Sequence, residues 1–382
     1  MEDGTMRQRA DTAASSVATP ADATADDIAG GRAYRADVAR RLGPSFARSQ
    51  SRDRGLAYLR GLLSEAERKH CWPVAEVCGE PTPYGFQSLL RRADWEADAV
   101  REELRVYVMP PLRAPHGVLV LDETGFLKKG AHSAGVARQY RGTAGTVENC
   151  QIGVFLADAS PLGHVLLDRE LYVPQAWRAD GARCRQAGIP TDRSFATKPQ
   201  LACQMLARAF AAGIPAKGVA GDRVSGDDRR LRRWLEGRAQ ASVLAVSGQE
   251  SVWLGPQPRQ GKTRLANLPE DGWTRLSAGD GATGPRGYAW RWRPLTAPLE
   301  PGWHRWRLVR RSLSAPTEWA AAVVCAPQAT TLEEVGGGPA AAGPVRAALR
   351  QPKEQSAWTT MQCGAGPAGI GMSRSPCGRW PC

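Results

Sequence analysis

The sequence predicts an α/β fold of the α+β kind: a mixed sheet with flanking helices, an N-terminal helical region and a β-rich insertion. Two patterns support this prediction. Between Ser45 and Leu104, apolar residues recur at the three- and four-residue spacing that is typical of amphipathic helices. After His116, continuous apolar runs typical of buried strands replace that pattern. Apolar residues make up 42% of the 382-residue chain, which is enough for a substantial core.

The N-terminal part of the chain divides into a tail and a helical region. Residues 1–44 are rich in Ala, Asp and Thr and low in aromatics, so we predict a disordered tail. Residues 45–112 predict two helical units, separated by a turn at 81–83 and closed by Pro110-Pro111. Their Arg residues favour a DNA-binding region, although a solvated basic face on an ordinary helical bundle explains them equally well.

Residues 113–250 predict the core of the sheet. The run "GVLVL" stops at Asp122 and the run "KGVAG" stops at Asp222, as buried strands do when polar groups follow them. An amphipathic helix that ends at a Gly is predicted between these two strands. Strands in hairpin order, then a helix and a further strand, are compatible with a ribonuclease-H-like core. The other predicted strands cover residues 151–157, 164–173 and 242–247, and the helix covers residues 198–213.

The composition changes again after residue 250. The stretch from Trp253 to Trp306 is rich in Gly, Pro and Trp, and we predict a β-rich insertion over residues 251–312. Residues 313–335 are predicted to return to the core. Residues 336–382 are rich in Gly and Ala and have no apolar periodicity, so we predict an aberrant tail there.

The charge balance favours a polyanionic partner. Lys and Arg number 51 and Asp and Glu number 38, which gives a formal net charge of +13. Arg predominates and its guanidinium matches phosphate geometry, although GC-rich coding DNA also produces Arg-rich chains. Nine Cys without CxxC spacing and only five His argue against a zinc site and indicate reduced thiols. The chain shows neither a membrane span nor a signal-peptide pattern, so we expect a cytoplasmic protein.

Two aspartates are candidate metal ligands. Asp122 and Asp222 both follow predicted buried strands, so their carboxylates can meet at one edge of a sheet and hold Mg²⁺. Paired metal ions at such a site clamp the attacking and leaving oxygens of a phosphoryl displacement. Glu123 adds a charge beside the first aspartate. The structural alternative is that each aspartate ends its strand as a turn or helix-capping residue.

The sequence segments around these aspartates have a family-specific pattern. The stretch "VLVLDETGFLKKGAHSAGVARQYRGTAGTVENCQIGVFLADASPLGHVLLDRELYVPQAW" closely resembles DDE transposases of the insertion-sequence-701 type, as do "FATKPQLACQML", "SAGDGATGPRGYAWRW" and "LVRRSLSAP". The resemblance covers about residues 46–334. It implies a ribonuclease-H-like fold with a β-rich insertion before a third catalytic Glu. It also implies Asp122 and Asp222 as the first two carboxylates of a Mg²⁺ site, with Mn²⁺ as a substitute.

The same resemblance implies DNA as the partner, both the ends of the element and the target, with a homodimer at synapsis and a bacterial, nucleoid-associated location. Five residues of the long block match the family's pattern, and two further arginines complete the set of candidate DNA contacts. As structural alternatives, the lysines are solvated loop charges, and Gln139 and Tyr140 support the backbone. We expect Asn149 and Gln151 to stabilise turn and strand backbone. The matching residues are Lys128, Lys129, Arg138, Gln139 and Tyr140, and the added arginines are Arg141 and Arg223.

The sequence departs from the family at two places. Around Asp222 the family's Trp, Glu and Tyr are replaced, and Arg223 follows the carboxylate. After "TTLEEV" the helix that carries the third Glu is missing. Back-translating residues 357–377 and starting one base earlier permits the family's Gly-Leu-Asp-Asp-Tyr helix, which predicts a frameshift; an unrelated tail that permits the match by codon freedom is the alternative. Substitute third acids are Glu333, Glu334 and Glu354.

Three functions follow from these patterns. The first is a metal-dependent DDE transposase that cuts the ends of its element and joins them to target DNA. The second is a catalytically dead remnant that still binds DNA through basic helices. The third, another ribonuclease-H-like nuclease such as a resolvase, explains the charge and the carboxylates but not the long family-specific block.

Overall fold

The computed structural model describes residues 25–112, 117–141, 146–160, 163–190, 192–247, 251–253, 258–260, 272–281, 284–295, 299–313 and 319–336. The chain forms two units, Met1–Pro44 and Ser45–Cys382. The tail predicted over residues 336–382 lies almost wholly outside the described residues, and Glu354 lies outside them as well.

The first unit contains one described helix, α1, which spans Ala25–Leu42. Part of the range predicted to be a disordered tail is therefore helical. The residues of α1 include several Ala and Arg, which are among the strongest helix formers. The low hydrophobicity of these residues predicts disorder. Their intrinsic helix propensity favours the helix that the structure shows.

Four helices open the second unit and confirm the predicted N-terminal helical region. Three of them enclose a small core in which Val74 and Phe86 are almost completely buried. Gly61 allows this packing, since a Cβ there would lie 2.4 Å from a methyl group of Val74. The helices are α2 (Ser49–Leu63), α3 (Cys71–Val77), α4 (Tyr84–Arg91) and α5 (Ala97–Leu112).

A mixed sheet of ten described strands forms the centre of the second unit, in agreement with the predicted fold class. Its three middle strands are parallel, and the strands on both sides join it in antiparallel pairs. Along the sheet the order is β2-β3-β1-β5-β6-β12-β11-β10-β9, and β4 pairs with β3 beside β2. The strands of the first half are β1 (Val118–Leu127), β2 (Ala137–Arg141), β3 (Thr146–Ser160), β4 (Gly163–Tyr172), β5 (Gly218–Gly221) and β6 (Ser242–Val246).

The range predicted as an insertion continues this sheet. Within it, β9, β10 and β11 are antiparallel neighbours, and β11 joins the central strands through β12. One face of this extension buries a cluster of tryptophans, including Trp290 and Trp306. The elements are β7 (Ser251–Trp253), β8 (Pro258–Gln260), β9 (Thr274–Gly281), β10 (Gly284–Pro294), β11 (Trp303–Ser312), β12 (Trp319–Pro327) and the helix α11 (Leu332–Gly336).

Helices cover one face of the central strands. The principal core is formed where Leu201 and Met205 of one helix and Leu231 of another pack on Leu119 and Leu244 of the sheet. The helix that carries Leu201 and Met205 begins with a capping box, which fixes its first residue at Lys198, as predicted. The helices on this face are α8 (Lys198–Ala211), α9 (Arg223–Gly226) and α10 (Arg229–Glu236). Two shorter helices, α6 (Gln175–Arg178) and α7 (Gly181–Gln186), contribute Trp177 and Cys184 to a separate cluster with Leu171 of β4.

A buried ion network connects the N-terminal helices to the sheet. Arg101 of α5 lies 3.2 Å from Asp168 of β4, whose side chain is only 3% exposed. Arg208 of α8 pairs with the same carboxylate at 2.8 Å and with Glu170 at 2.8 Å. Arg193 completes the network by pairing with Glu170 at 2.7 Å. Because each carboxylate has two cationic partners, burying these charges costs less than burying isolated ions.

Among the described helices, none is both long and apolar enough to cross a lipid bilayer.

Candidate active site

The sheet brings Asp122 and Asp222 to the same edge. β1 and β5 are adjacent and parallel, and Leu121 is in register with Gly221. The two aspartates are the next residues along each strand. Since neighbouring strands lie about 4.8 Å apart, the two carboxylates lie side by side at the edge where β5 ends, while β1 continues past Asp122. The neighbouring strands agree with the prediction, whereas the predicted end of the first strand at Asp122 is wrong, since β1 continues to Leu127.

Asp222 is also the N-cap of α9. Its Oδ1 accepts hydrogen bonds from the backbone N–H groups of Val224 at 3.1 Å and Ser225 at 3.3 Å. The backbone of Gly226 packs so closely on β6 that a Cβ there would lie 1.7 Å from the carbonyl oxygen of Ala245. The capping alternative is therefore realised, and it fixes one oxygen of the carboxylate while the other makes no hydrogen bond within the described part of the chain.

Glu123 lies beside the two aspartates, on the face of β1 that α8 covers. Its Oε2 is 2.7 Å from the Nζ of Lys198, the first residue of α8. Burial raises the pKa of Glu123, and the charges of Asp222 and Asp122 raise this pKa further, while Lys198 lowers it. Asp122 itself accepts a hydrogen bond from the N–H of Glu123 at 2.8 Å through Oδ1. The charges of both aspartates therefore act on Glu123 at this edge.

The two candidate third acids that the structure describes lie elsewhere. Glu334 caps α11, accepting from the N–H of Thr331 at 2.9 Å, and its Oε1 is 3.4 Å from Lys217 Nζ. Lys217 directly precedes β5, so it lies at the opposite end of that strand from Asp222, about 16 Å away along the strand. Glu333 is exposed in the same short helix. No group of three His, Cys, Asp or Glu side chains among the described residues is arranged to hold a metal.

The candidate DNA contacts fall into two places. Arg223 is exposed and directly follows Asp222 at the edge. The others lie along the β1–β2 connection and β2: Lys129 and Arg138 are exposed, Lys128 is partly buried, and the side chain of Arg141 lies outside the described residues.

Polar side chains hold the β1–β2 connection in place. Asn149 donates from Nδ2 to the carbonyl oxygens of Lys128 at 2.7 Å and Gly130 at 3.1 Å. Gln151 donates to the carbonyl oxygen of Ala134 at 2.6 Å. These contacts agree with the expectation that Asn149 and Gln151 stabilise the backbone. They also show why amide side chains are needed here, because the connection has no strand partner for its carbonyl groups.

The family of DDE superfamily endonucleases matches residues 41–298 of the chain, which is more than half of its length. The chain belongs to this family. A probable transposase for insertion sequence element IS701 from Microchaete diplosiphon is 26% identical to this chain over 172 residues, 44% of this chain and 41% of that protein. The match thus spans less than half of the curated relative. The predicted resemblance to DDE transposases is confirmed.

A solved structure also aligns with part of this chain. The NurA nuclease from Sulfolobus solfataricus aligns with 59% of this chain and 72% of its own, at 10% identity and a TM-score of 0.27. That score is too low to indicate a shared fold. The assignment of the fold therefore rests on the sheet order and on the family match.

The sequence did not reveal the contact of Lys198 with Glu123. The sequence predicts Lys198 only as the first residue of an amphipathic helix. Its partner, Glu123, is 75 residues away in the chain, so no local pattern connects them. The available signal is weak: a cation at a helix N-terminus is unfavourable, and a nearby carboxylate offsets that cost.

Proposed function

We propose that this chain is the DNA transposase of an insertion sequence, which cuts DNA and transfers the cut strand by a metal-dependent DDE mechanism. The observation that carries the proposal is the pairing of β1 with β5, which sets Asp122 and Asp222 at one edge in a member of the DDE endonuclease family. The net charge of +13 supports a polyanionic substrate.

Asp122 and Asp222 are the residues that would hold Mg²⁺, or Mn²⁺ in its place. The donor set fits a divalent ion in kind, since carboxylate oxygens are the ligands that Mg²⁺ prefers. When bound, the metal supplies activation of the attacking oxygen and stabilisation of the leaving oxygen.

The protein's own groups orient the substrate and the ligands. The N–H groups of Val224 and Ser225 fix the direction of the Asp222 carboxylate. Lys198 neutralises Glu123, so that the negative charge facing the incoming phosphates is reduced. Arg223, exposed beside Asp222, is placed to contact a phosphate next to the reacting one. A homodimer would bring two DNA ends together.

A second candidate function is a DNA-binding remnant without catalytic activity. The location of Glu333 and Glu334, at the far end of β5 from Asp222, favours it. Two aspartates without a third acid give each Mg²⁺ fewer charged ligands and weaker binding. This candidate agrees with the frameshift that the tail sequence predicts.

Cleavage assays distinguish the two functions. The full chain is incubated with DNA that carries the flanks of its own gene, with Mg²⁺, with Mn²⁺ or with EDTA. A transposase gives metal-dependent cuts that Asp122→Asn and Asp222→Asn abolish, whereas Asp192→Asn, a change at an exposed position, leaves cleavage intact. Binding in EDTA without cleavage in either metal supports the remnant, and the absence of both contradicts both functions.

A further inference from the structure

A two-stranded ribbon projects beyond the candidate active edge. β1 ends opposite Cys150, and from there β3 continues toward Thr146 paired only with β2 on its other side. Asp122 is opposite Phe155. At about 3.4 Å per residue, the ribbon therefore extends roughly 20 to 30 Å beyond the level of Asp122.

One face of the ribbon carries an exposed apolar pair flanked by a cation. Tyr140 lies directly opposite Val147, and their side chains are 60% and 51% exposed. Arg138, two residues before Tyr140 on the same face, is exposed and makes no ion pair within the described residues. More than half of each side chain stays in contact with solvent, and edge strands are more often protected by charged residues than by exposed apolar ones.

The exposed pair shares its sheet face with Asp122. Val147 and Phe155 are separated by an even number of residues in β3, so their side chains leave the sheet on the same side. Phe155 is paired with Asp122, and paired residues share a face. Arg138 and Tyr140 thus lie about 20 and 27 Å from Asp122 along the strand direction.

The ribbon is held rigidly at its base. Gln139 donates to the carbonyl oxygen of Cys150 at 2.9 Å, between the two strands. Trp177 donates from its indole to the carbonyl oxygen of Val136 at 2.7 Å, and Arg183 donates to that of Ala131 at 2.9 Å. A surface that is already ordered loses little conformational entropy when it binds, which favours its use in recognition.

We propose that this ribbon face binds the DNA duplex on one side of the reacting phosphate, with Arg138 on a backbone phosphate and Tyr140 and Val147 against sugars and bases. The proposal rests on the proposed function, since it takes DNA as the substrate. A two-stranded ribbon fits the major groove of B-DNA. For a duplex whose axis runs along the ribbon, at 3.4 Å per base pair, the contact falls about six to eight base pairs from the reacting phosphate. The exposed Lys129 adds positive charge near its base.

The phosphate contact of Arg138 and the apolar contacts of Tyr140 and Val147 respond differently to salt. This difference distinguishes DNA contacts from a purely structural role of these residues. A phosphate contact contributes to the slope of log Kd against log salt concentration, and removing one lowers that slope by about one. An apolar contact changes affinity and leaves the slope unchanged. Neither change is expected from a loosened fold, which would weaken binding and lower the melting temperature together.

The test measures binding of the full chain to a fluorescent 30-base-pair duplex in EDTA over a series of KCl concentrations. Arg138→Ala should reduce the salt slope by about one. Tyr140→Ala should raise Kd about fivefold to tenfold at constant slope. Tyr140→Phe should bind as the unchanged chain does, and so should the control Tyr34→Ala, which removes a similarly exposed ring from α1, outside the predicted DNA-binding region. Melting temperatures establish that each variant is folded.

Failure of this inference is distinguishable from failure of the proposed function. If the unchanged chain binds the duplex and Arg138→Ala and Tyr140→Ala bind equally well, the ribbon is not a DNA contact. If Tyr140→Ala alters only the sedimentation of the chain, the exposed pair is an interface between two copies, which also overturns the inference. If the unchanged chain does not bind DNA at all, the proposed function is wrong and the ribbon assignment is wrong with it.

Discussion

Asp222 combines a structural and a chemical property in one side chain. It caps α9 through Oδ1, and its charge stands beside that of Asp122 at the edge of the sheet. A carboxylate that is already oriented by backbone N–H groups loses less freedom when it binds a metal ion. The two alternatives considered from the sequence, cap and ligand, are therefore compatible with each other.

Substitutions at Asp222 separate the two properties. Asn is as good an N-cap as Asp, so Asp222→Asn should keep the free energy of unfolding nearly unchanged and remove metal-dependent cleavage. Asp222→Ala should lose the same activity and also about 1 kcal/mol of stability. Asp228, the N-cap of α10, provides the control: Asp228→Ala should lose a similar amount of stability and keep cleavage. Denaturant unfolding and cleavage assays measure both effects. Full activity of Asp222→Asn would contradict a ligand role.

Asp158 predicts a pH dependence of stability. Its side chain is buried opposite Leu119, and burial raises its pKa from 3.8 to about 6. Because the folded-state pKa is the higher one, the unfolded chain loses this proton first, and stability falls as the pH rises from about 4 to about 6.

Asp158→Asn removes the charge and should make the chain more stable at pH 7 with a flatter dependence on pH below it. Denaturant unfolding at pH 4.5, 6 and 7.5 measures the effect. The exposed Asp192→Asn serves as control and should reproduce the unchanged profile. An unaltered pH profile in Asp158→Asn would show that the carboxyl finds solvent or a partner in solution.

At the scale of elements, α9 packs against β6 through Gly226. A Cβ at Gly226 would meet the backbone of Ala245 at 1.7 Å, and a backbone atom cannot move aside as a flexible side chain can. Gly226→Ala should therefore displace α9 and the Asp222 carboxylate with it, lowering both the melting temperature and cleavage. Gly181→Ala, at the exposed start of α7, is the control and should change neither. Normal cleavage by Gly226→Ala would contradict the positioning role of α9.

The elements also show what local patterns can predict. The strands before Asp122 and Asp222 and the helix α8 were predictable, because apolar runs and a capped amphipathic helix are local signals. The pairing of Glu123 with Lys198 and the continuation of the sheet through β12 into β9 were not, since both depend on contacts between residues far apart in the chain. The sequence does not predict α1, because the low hydrophobicity of its residues is typical of disorder although their helix propensity is high.

At the scale of the whole molecule, the C-terminal sequence decides whether the acidic edge is complete. We expect the 3′ end of the gene, translated in all three frames, to encode the Gly-Leu-Asp-Asp-Tyr helix with a Glu-bearing helix before it. A chain with that frame restored should gain Mg²⁺-dependent cleavage, and the same chain with the restored Glu changed to Gln should not. If no such frame exists, or the restored chain stays inactive, the frameshift explanation is wrong.

The buried ion network between α5, β4 and α8 has a practical consequence for handling the protein. Asp168 is only 3% exposed, so dissolved salt screens its pairs with Arg101 and Arg208 far less than it screens exposed arginines facing phosphates. A concentrated salt wash during purification should therefore release bound nucleic acid while the N-terminal helices remain packed on the sheet.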